Sequence, residues 1–323
     1  MKISSLLMAA LIAITPVAAT ATEVVFAGST DGQFDLYVAD ITTAQTRRLT
    51  ETPSEEIMPA AAPDRSQIAF VSNRAGANSL YLMQLAGTAS AAEDISAGVG
   101  AYANPAFSPS GAKIAVQYAP DPEAPYENTQ IVFLDPKTRK QEIVIDSASL
   151  KTAENSDSTV VVDRPVWISE TLIVYVMAEY SDLEAARLTK STLYMYDLKK
   201  LEQVRVAGGE SYYDAEGRAM GFKATMPVVV HEKDHGSSLL FAAIRGATER
   251  EPMRVEIGGG EKGLIDLNDS EFFGPMLFAD GKWVYGTMNE EGVTGLAWRD
   301  GALQAPKTTL PFEGRIINPA LIP

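Results

Sequence analysis

The sequence has no cysteine. That excludes disulfide staples, thiolate metal centres and cysteine nucleophiles together. Histidine is almost missing: His231 and His235 are the only two, and they sit on one short segment. A serine–histidine–aspartate triad therefore has little to draw on. Positive charge is in deficit, with 27 Lys+Arg against 42 Asp+Glu and a net charge of −15. Such a chain offers no basic face to a nucleic-acid backbone and is repelled by an anionic lipid surface. After the first residues no apolar run is long enough to span a bilayer. A Gly-x-Ser-x-Gly elbow is missing, and Gly258-Gly-Gly lacks the Lys-Ser/Thr of a phosphate loop, so it reads as a turn. What remains is 46% hydrophobic and 21% charged, with 24 Gly and 18 Pro. This is a globular composition punctuated by turns, in a chain long enough to bury a core unaided.

Residues 1–21 read as a cleavable secretory signal. Lys2 supplies the positive start, Leu6 to Ile14 the short apolar run, and Ala19-Thr20-Ala21 the small-x-small cleavage site. No Cys stands at the cleavage point, which excludes a lipoprotein anchor. The expected product is a soluble periplasmic protein comprising residues 22–323 as a single domain, without membrane insertion.

The body of the chain repeats. Asn104-Pro-Ala-Phe-Ser-Pro-Ser-Gly-Ala-Lys-Ile-Ala-Val and Met58-Pro-Ala-Ala-Ala-Pro-Asp-Arg-Ser-Gln-Ile-Ala-Phe are the clearest copies. Arg164-Pro-Val-Trp-Ile-Ser is a third, and Met226-Pro-Val-Val-Val and Gly274-Pro-Met-Leu-Phe are looser. Each is followed by an apolar strand and then by a run such as Asp35-Leu-Tyr-Val-Ala-Asp, Gln130-Ile-Val-Phe-Leu-Asp or Thr192-Leu-Tyr-Met-Tyr-Asp. These runs have the composition of half-buried strands. The marker prolines 59, 105, 165, 227, 275 and 319 are spaced by 46, 60, 62, 48 and 44 residues. Periods of that size with four short strands each indicate propeller blades. The last copy, Asn318-Pro-Ala-Leu-Ile-Pro, stops after one strand, and the strands it lacks stand near the other end of the chain, from Glu23 to Thr50. Six markers with one blade shared between the two ends predict an all-β, six-bladed propeller closed by pairing of N- and C-terminal strands, with no open sheet edge at the closure.

The P-x-[FW]-S-P-x-G…I-A…L-Y-x-x-[DN] pattern resembles the TolB-type propeller repeat, which also builds the propellers of prolyl oligopeptidase relatives and tricorn-type proteases. The resemblance covers about Glu23 to Pro323. It implies the fold and a periplasmic setting. TolB carries an α/β domain before its propeller, and here the expected propeller follows the signal directly. Nothing carried by that domain transfers.

Four segments are expected as long loops on one face: 119–128, 146–163, 178–190 and 207–225. They carry Tyr126, Tyr180, Tyr212, Tyr213 and Phe222 among many carboxylates. Aromatic anchors among charges are the chemistry of a recognition rim. Tyr102, Asn104, Asp163, Arg164 and Asn318 are expected at the channel mouth, either as a polar ring for a ligand or peptide end, or as partners for strand-end backbone groups.

His231-Glu-Lys-Asp-His235 matches the zinc-protease pattern H-E-x-x-H, which needs a helix to aim both imidazoles at one metal. Here it follows Pro227-Val-Val-Val and precedes Gly236, so it reads as a charged hairpin tip. No catalytic residue and no resident metal or cofactor is expected. Oxygen-rich stretches at Asp31-Gly-Gln-Phe-Asp35 and Asp266-Leu-Asn-Asp269 leave Ca²⁺ open, though neither has the spacing of a complete calcium loop. The function expected first is a non-catalytic scaffold for a periplasmic protein or peptide. A metal-assisted hydrolase or lyase acting on a sugar or lactone is the alternative, and a purely structural propeller a third.

Overall fold

The computed structural model describes residues 22–86, 91–213, 215–216, 218–232, 236–246, 249–257 and 262–323. Residues 1–21, expected as a signal, lie outside them. Six antiparallel sheets stand around a central channel. Blade I joins both ends of the chain: β1 (Glu23–Ser29), β2 (Asp35–Asp40) and β3 (Gln45–Arg48) are completed by β25 (Arg315–Ile322) on the inner side. Blade II is β4 (Glu56–Ala61), β5 (Gln67–Ala75), β6 (Ala77–Gln84) and β7 (Glu93–Asp94). Blade III is β8 (Ala101–Phe107), β9 (Ile114–Ala119), β10 (Gln130–Leu134) and β11 (Gln141–Asp146). Blade IV has five strands: β12 (Thr159–Ser169), β13 (Leu172–Asp182), β14 (Arg187–Asp197), β15 (Glu202–Tyr213) and β16 (Ala219–Gly221). Blade V is β17 (Lys223–Glu232), β18 (Gly236–Arg245), β19 (Glu249–Glu256) and β20 (Lys262–Leu264). Blade VI is β21 (Phe272–Ala279), β22 (Lys282–Met288), β23 (Thr294–Asp300) and β24 (Thr308–Thr309).

Closure is by backbone pairing. Glu23 lies opposite Ile322, Val24 opposite Leu321 and Ser29 opposite Arg315. The core is divided into six apolar clusters, one in each gap between neighbouring blades. Blade I is gripped on both sides. Val25 and Val38 pack toward Ile68 and Phe70 of blade II, while Val24 and Phe26 pack toward Leu277 and Trp298 of blade VI.

The repeated acidic residue after the third strand has a local task. Asp40, Asp135 and Asp197 each accept the backbone N–H groups two and three residues on, fixing the turn to the fourth strand. Those bonds hold the Asp135 and Asp197 carboxyls below the usual range. The marker proline has a task of its own. In five blades the residue before it and the proline together oppose one residue of the next strand, so each inner strand carries a two-against-one bulge. The single opposing residues are Phe26, Phe70, Val116, Tyr175 and Phe241, all fully buried. Blade VI departs: Phe273, Gly274 and Pro275 together oppose Gly286.

Two of the segments expected as long loops are strand. Residues 178–190 are the far half of the β13–β14 hairpin, and 207–225 are mostly the end of β15, β16 and the start of β17. This outer hairpin is tied to blade V, where Gly246 N–H donates to Ser211 Oγ at 2.8 Å and Arg245 donates to the Gly221 carbonyl at 3.2 Å. Residues 119–128 and 146–163 are turns and short 3-10 pieces, apart from their ends and the β12 run.

Candidate binding site at the channel mouth

The six bulges set a ring. The residue before each marker proline is Met58, Asn104, Arg164, Met226, Gly274 or Asn318, and all six have left-handed φ between 48° and 92°. Asn and Gly adopt this conformation readily, whereas Met and Arg pay for it. All six line a channel of about 1020 Å³. Neighbours in the ring touch. Asn104 N–H points at Met58 Sδ at 3.3 Å, and a Cβ on Gly274 would stand 3.1 Å from Met226 Sδ. Beyond the ring the wall is mainly apolar, made of the marker prolines, Val166, Val228 and Phe278.

The inner strands start on one face, here called the upper face, and there the ring gathers charge. Asp163 accepts from Asn104 Nδ2 at 2.6 Å and from the Arg164 backbone N–H at 2.6 Å, and its other oxygen stands 3.2 Å from Arg164 Nε. Tyr180, paired with Thr159 on β12, comes within the field of Asp163, Arg164 and Tyr126. Burial first, and then the Asp163 charge, push its phenol above the ordinary value. Tyr126 is 58% exposed. The structure thus brings Asn104, Asp163, Arg164, Tyr180 and Tyr126 into one constellation, with Asn318 on the same ring.

Two residues of this mouth were not legible in the sequence. Arg250, on β19, lays its guanidinium over the Phe273 ring with 3.9 Å to the centroid, and donates to the Phe273 carbonyl at 3.3 Å. Phe273 is the extra residue of the blade VI bulge, so the platform exists only because that bulge is longer. Burial, and then the neighbouring Arg164 charge, lower the Arg250 pKa from its ordinary value. The channel wall also carries polar atoms without partners. Asn318 Oδ1 and Thr294 Oγ1 are both buried and bond to nothing among the described residues.

Other expected site residues stand elsewhere. Tyr102 is not at the mouth: it is 1% exposed in the gap between blades II and III, where its hydroxyl donates to Gln141 at 3.0 Å and accepts from Ala97 N–H at 3.1 Å. That burial pushes its phenol up to about 12. Phe222 is no rim anchor either. It stacks on Phe241 in the gap between blades IV and V, with the Arg245 guanidinium above it. Tyr212 and Tyr213 belong to the β15–β16 hairpin, opposite Met220 and Ala219, and their side chains lie outside the described residues. His231 and Glu232 end β17, paired with Ser237 and Gly236 of β18, so the described residues of the H-E-x-x-H stretch are strand and not helix. His235 is outside the described residues. The oxygen-rich stretches are occupied by the chain's own cations: Asp35 takes Arg48, and Asp269 takes Lys307 and Arg299.

Residues 14–165 match the family model described as TolB beta propeller domain. Among solved structures, TolB from Acinetobacter baumannii aligns with a TM-score of 0.67 at 15% identity, over 94% of this chain and 67% of that one. A chain of a nidogen/laminin complex aligns at 0.59 and 10% identity, over 93% and 98%. Oligogalacturonate lyase from Vibrio parahaemolyticus aligns at 0.52 and 13% identity, over 89% and 74%. No curated protein matches by sequence. Likeness at these identities is likeness of fold, and the neighbours divide between enzymes and other proteins. The repeat, the six closed blades and the family match agree that this chain is a TolB-like β-propeller.

Proposed function

We propose that this protein is a non-catalytic scaffold of the periplasm that holds a protein or peptide segment at the upper mouth of its channel. One observation carries the reading: a preformed apolar channel of about 1020 Å³ is capped by a small, hydrogen-bonded polar set. Binding sites have this composition, with apolar walls giving contact area and few polar groups giving orientation. The set is also held rigidly, because Asn104, Asp163 and Arg164 stand on inner strands and brace one another. Tyr126 and Tyr180 add amphipathic rings beside it, the residue type that dominates protein-recognition surfaces. The periplasmic setting rests on the signal-like first 21 residues and on the likeness to TolB.

A photo-crosslinking residue at position 126, on the upper face, is compared with one at position 64, on the turn at the lower face. The reading expects a protein adduct from periplasm at 126 that is lost on Tyr180→Ser and weak at 64. Equal labelling at both positions, or labelling indifferent to Tyr180→Ser, overturns the assignment of the mouth.

A further inference from the structure

We propose that the mouth recognises a carboxylate of the bound peptide, held between the guanidinium groups of Arg164 and Arg250. This rests on the peptide-binding reading above and specifies its chemistry. Arg164 and Arg250 both line the channel, near enough for the Arg164 charge to act on Arg250, and Asp163 is the carboxylate bonded to Arg164 there. Asp163 is already engaged by Asn104 Nδ2, Arg164 N–H and Arg164 Nε. Arg250 has no carboxylate partner among the described residues; its contacts are the ring and carbonyl of Phe273. A half-buried guanidinium beside a like charge is unfavourable unless an anion completes it.

The arrangement is also built rather than incidental. Blade VI alone among the six has three residues in its bulge, and the third, Phe273, is the one that seats Arg250. The longer bulge requires Gly286, because a Cβ there would lie 2.3 Å from the Gly274 carbonyl oxygen. Gly274 itself leaves its ring position without a side chain, where a Cβ would press on Met226 Sδ at 3.1 Å. Bulges that re-aim a side chain are typical next to functional sites.

The chemistry of the surroundings selects the ligand. Paired planar guanidinium forks match a carboxylate in geometry. Asn318 Oδ1 is an acceptor with no donor elsewhere on the channel wall, and a peptide running along the wall carries N–H donors, whereas a phosphate dianion carries none. The prolines and the two ring methionines below offer contact area to apolar side chains and little to sugar hydroxyls. A peptide carboxylate, whether the chain end or an Asp/Glu side chain, fits all three features.

Immobilised protein is offered three pools of random heptapeptides. The first has free C-termini and no Asp or Glu, the second is the same pool amidated, and the third is amidated with one Asp. Retention of the first over the second by about tenfold or more identifies a chain-end carboxylate. Selective retention of the third identifies a side-chain carboxylate. Either preference should vanish in Arg250→Gln and weaken in Arg250→Lys, which keeps the charge and loses the fork. The comparison of pools on the unaltered protein needs no variant to fold. Equal retention of all three overturns the carboxylate inference and leaves peptide binding standing. Retention of none overturns both. Arg250-dependent retention of a galacturonate oligosaccharide in place of peptides overturns the peptide as the occupant.

Discussion

Closure of the ring through β25 can be tested with one side chain. Ile322 is 4% exposed and packs in the cluster between blades I and II, and its backbone pairs with Glu23. Replacing it by Ala removes three carbons from a seam that includes Val25, Val38, Ile68 and Phe70. Ile→Ala changes in well-packed cores cost about 2–5 kcal/mol, with the spread set by how far the site can collapse. Ile322 ends its strand, where the backbone can settle inward, so the lower part of that range applies, about 2–3 kcal/mol. The control is Ile143→Ala on β11. Ile143 is 56% exposed, and its loss should stay within about 0.5 kcal/mol.

Equilibrium urea unfolding followed by tryptophan fluorescence reads the difference. One reporter, Trp298, sits in the cluster between blades VI and I. The midpoint of Ile322→Ala should fall with the slope unchanged, since the native fold and its buried area persist. If Ile322→Ala costs no more than Ile143→Ala, β25 contributes no closure energy and the argument that the two ends lock the ring fails.

Three further outcomes follow from named contacts. Gly286→Ala should cost about 2–3 kcal/mol in urea unfolding, because both the Cβ position and the Gly274 carbonyl it meets are backbone-fixed. Burial pushes the Asp269 carboxyl up, yet hydrogen bonds from Tyr285 and Lys307 outweigh it and hold the carboxyl below its ordinary value. A lowered folded pKa gives stability that is present above the unfolded value of about 3.9 and lost as pH falls through the folded one. The stability gap between the parent and Asp269→Asn should therefore be constant from pH 8 to 6 and narrow as pH falls below about 4; a gap at pH 3 as wide as at pH 6 refutes it. Tyr102→Phe should lower stability by about 1 kcal/mol through its bonds to Gln141 and Ala97, and leave crosslinking at position 126 unchanged.

The fold was legible because each repeated residue answers to a backbone requirement. The marker pair X-Pro makes the bulge, and the strand-end Asp caps a turn in Asp40, Asp135 and Asp197. Such requirements recur at fixed offsets, so they survive divergence between blades. Side-chain placement was less legible, although Tyr102 shows that part of it could have been read. The positions two residues before the ring are Glu56, Tyr102, Val162, Ala224, Phe272 and Ile316, and every one is buried. Strand parity alone sends that position into the gaps between blades and keeps it out of the channel. Residues 178–190 and 207–225 looked like loops because polar and glycine residues outnumber apolar ones along them, although Ala178, Ala207, Phe222 and Ala224 pack in the gap between blades IV and V. Arg250 and Phe273 left no local signal at all. Arg250 reaches the mouth from a third strand, and the extra residue of the bulge shows only once β21 is paired with β22.

The same comparison locates the chemistry. A bulge repeated six times gives a symmetric channel, and symmetry alone distinguishes no direction across it. Left-handed φ at Met58, Arg164 and Met226 costs roughly 1–2 kcal/mol each, and every blade keeps the conformation. That uniformity assigns the strain to forming the channel wall and not to any one ligand contact. Selectivity must then come from what differs around the ring: two methionines, two asparagines, an arginine and a glycine. The largest departures are the arginine in blade IV and the glycine with its extra residue in blade VI, two blades apart. Arg250, carried by the blade between them, reaches toward both. A chain of net charge −15 thereby presents a pair of positive groups at one edge of an apolar opening. If the mouth takes a carboxylate as proposed, the overall field opposes acidic ligands at range, and contact along the channel wall has to offset that repulsion before the guanidinium groups can select.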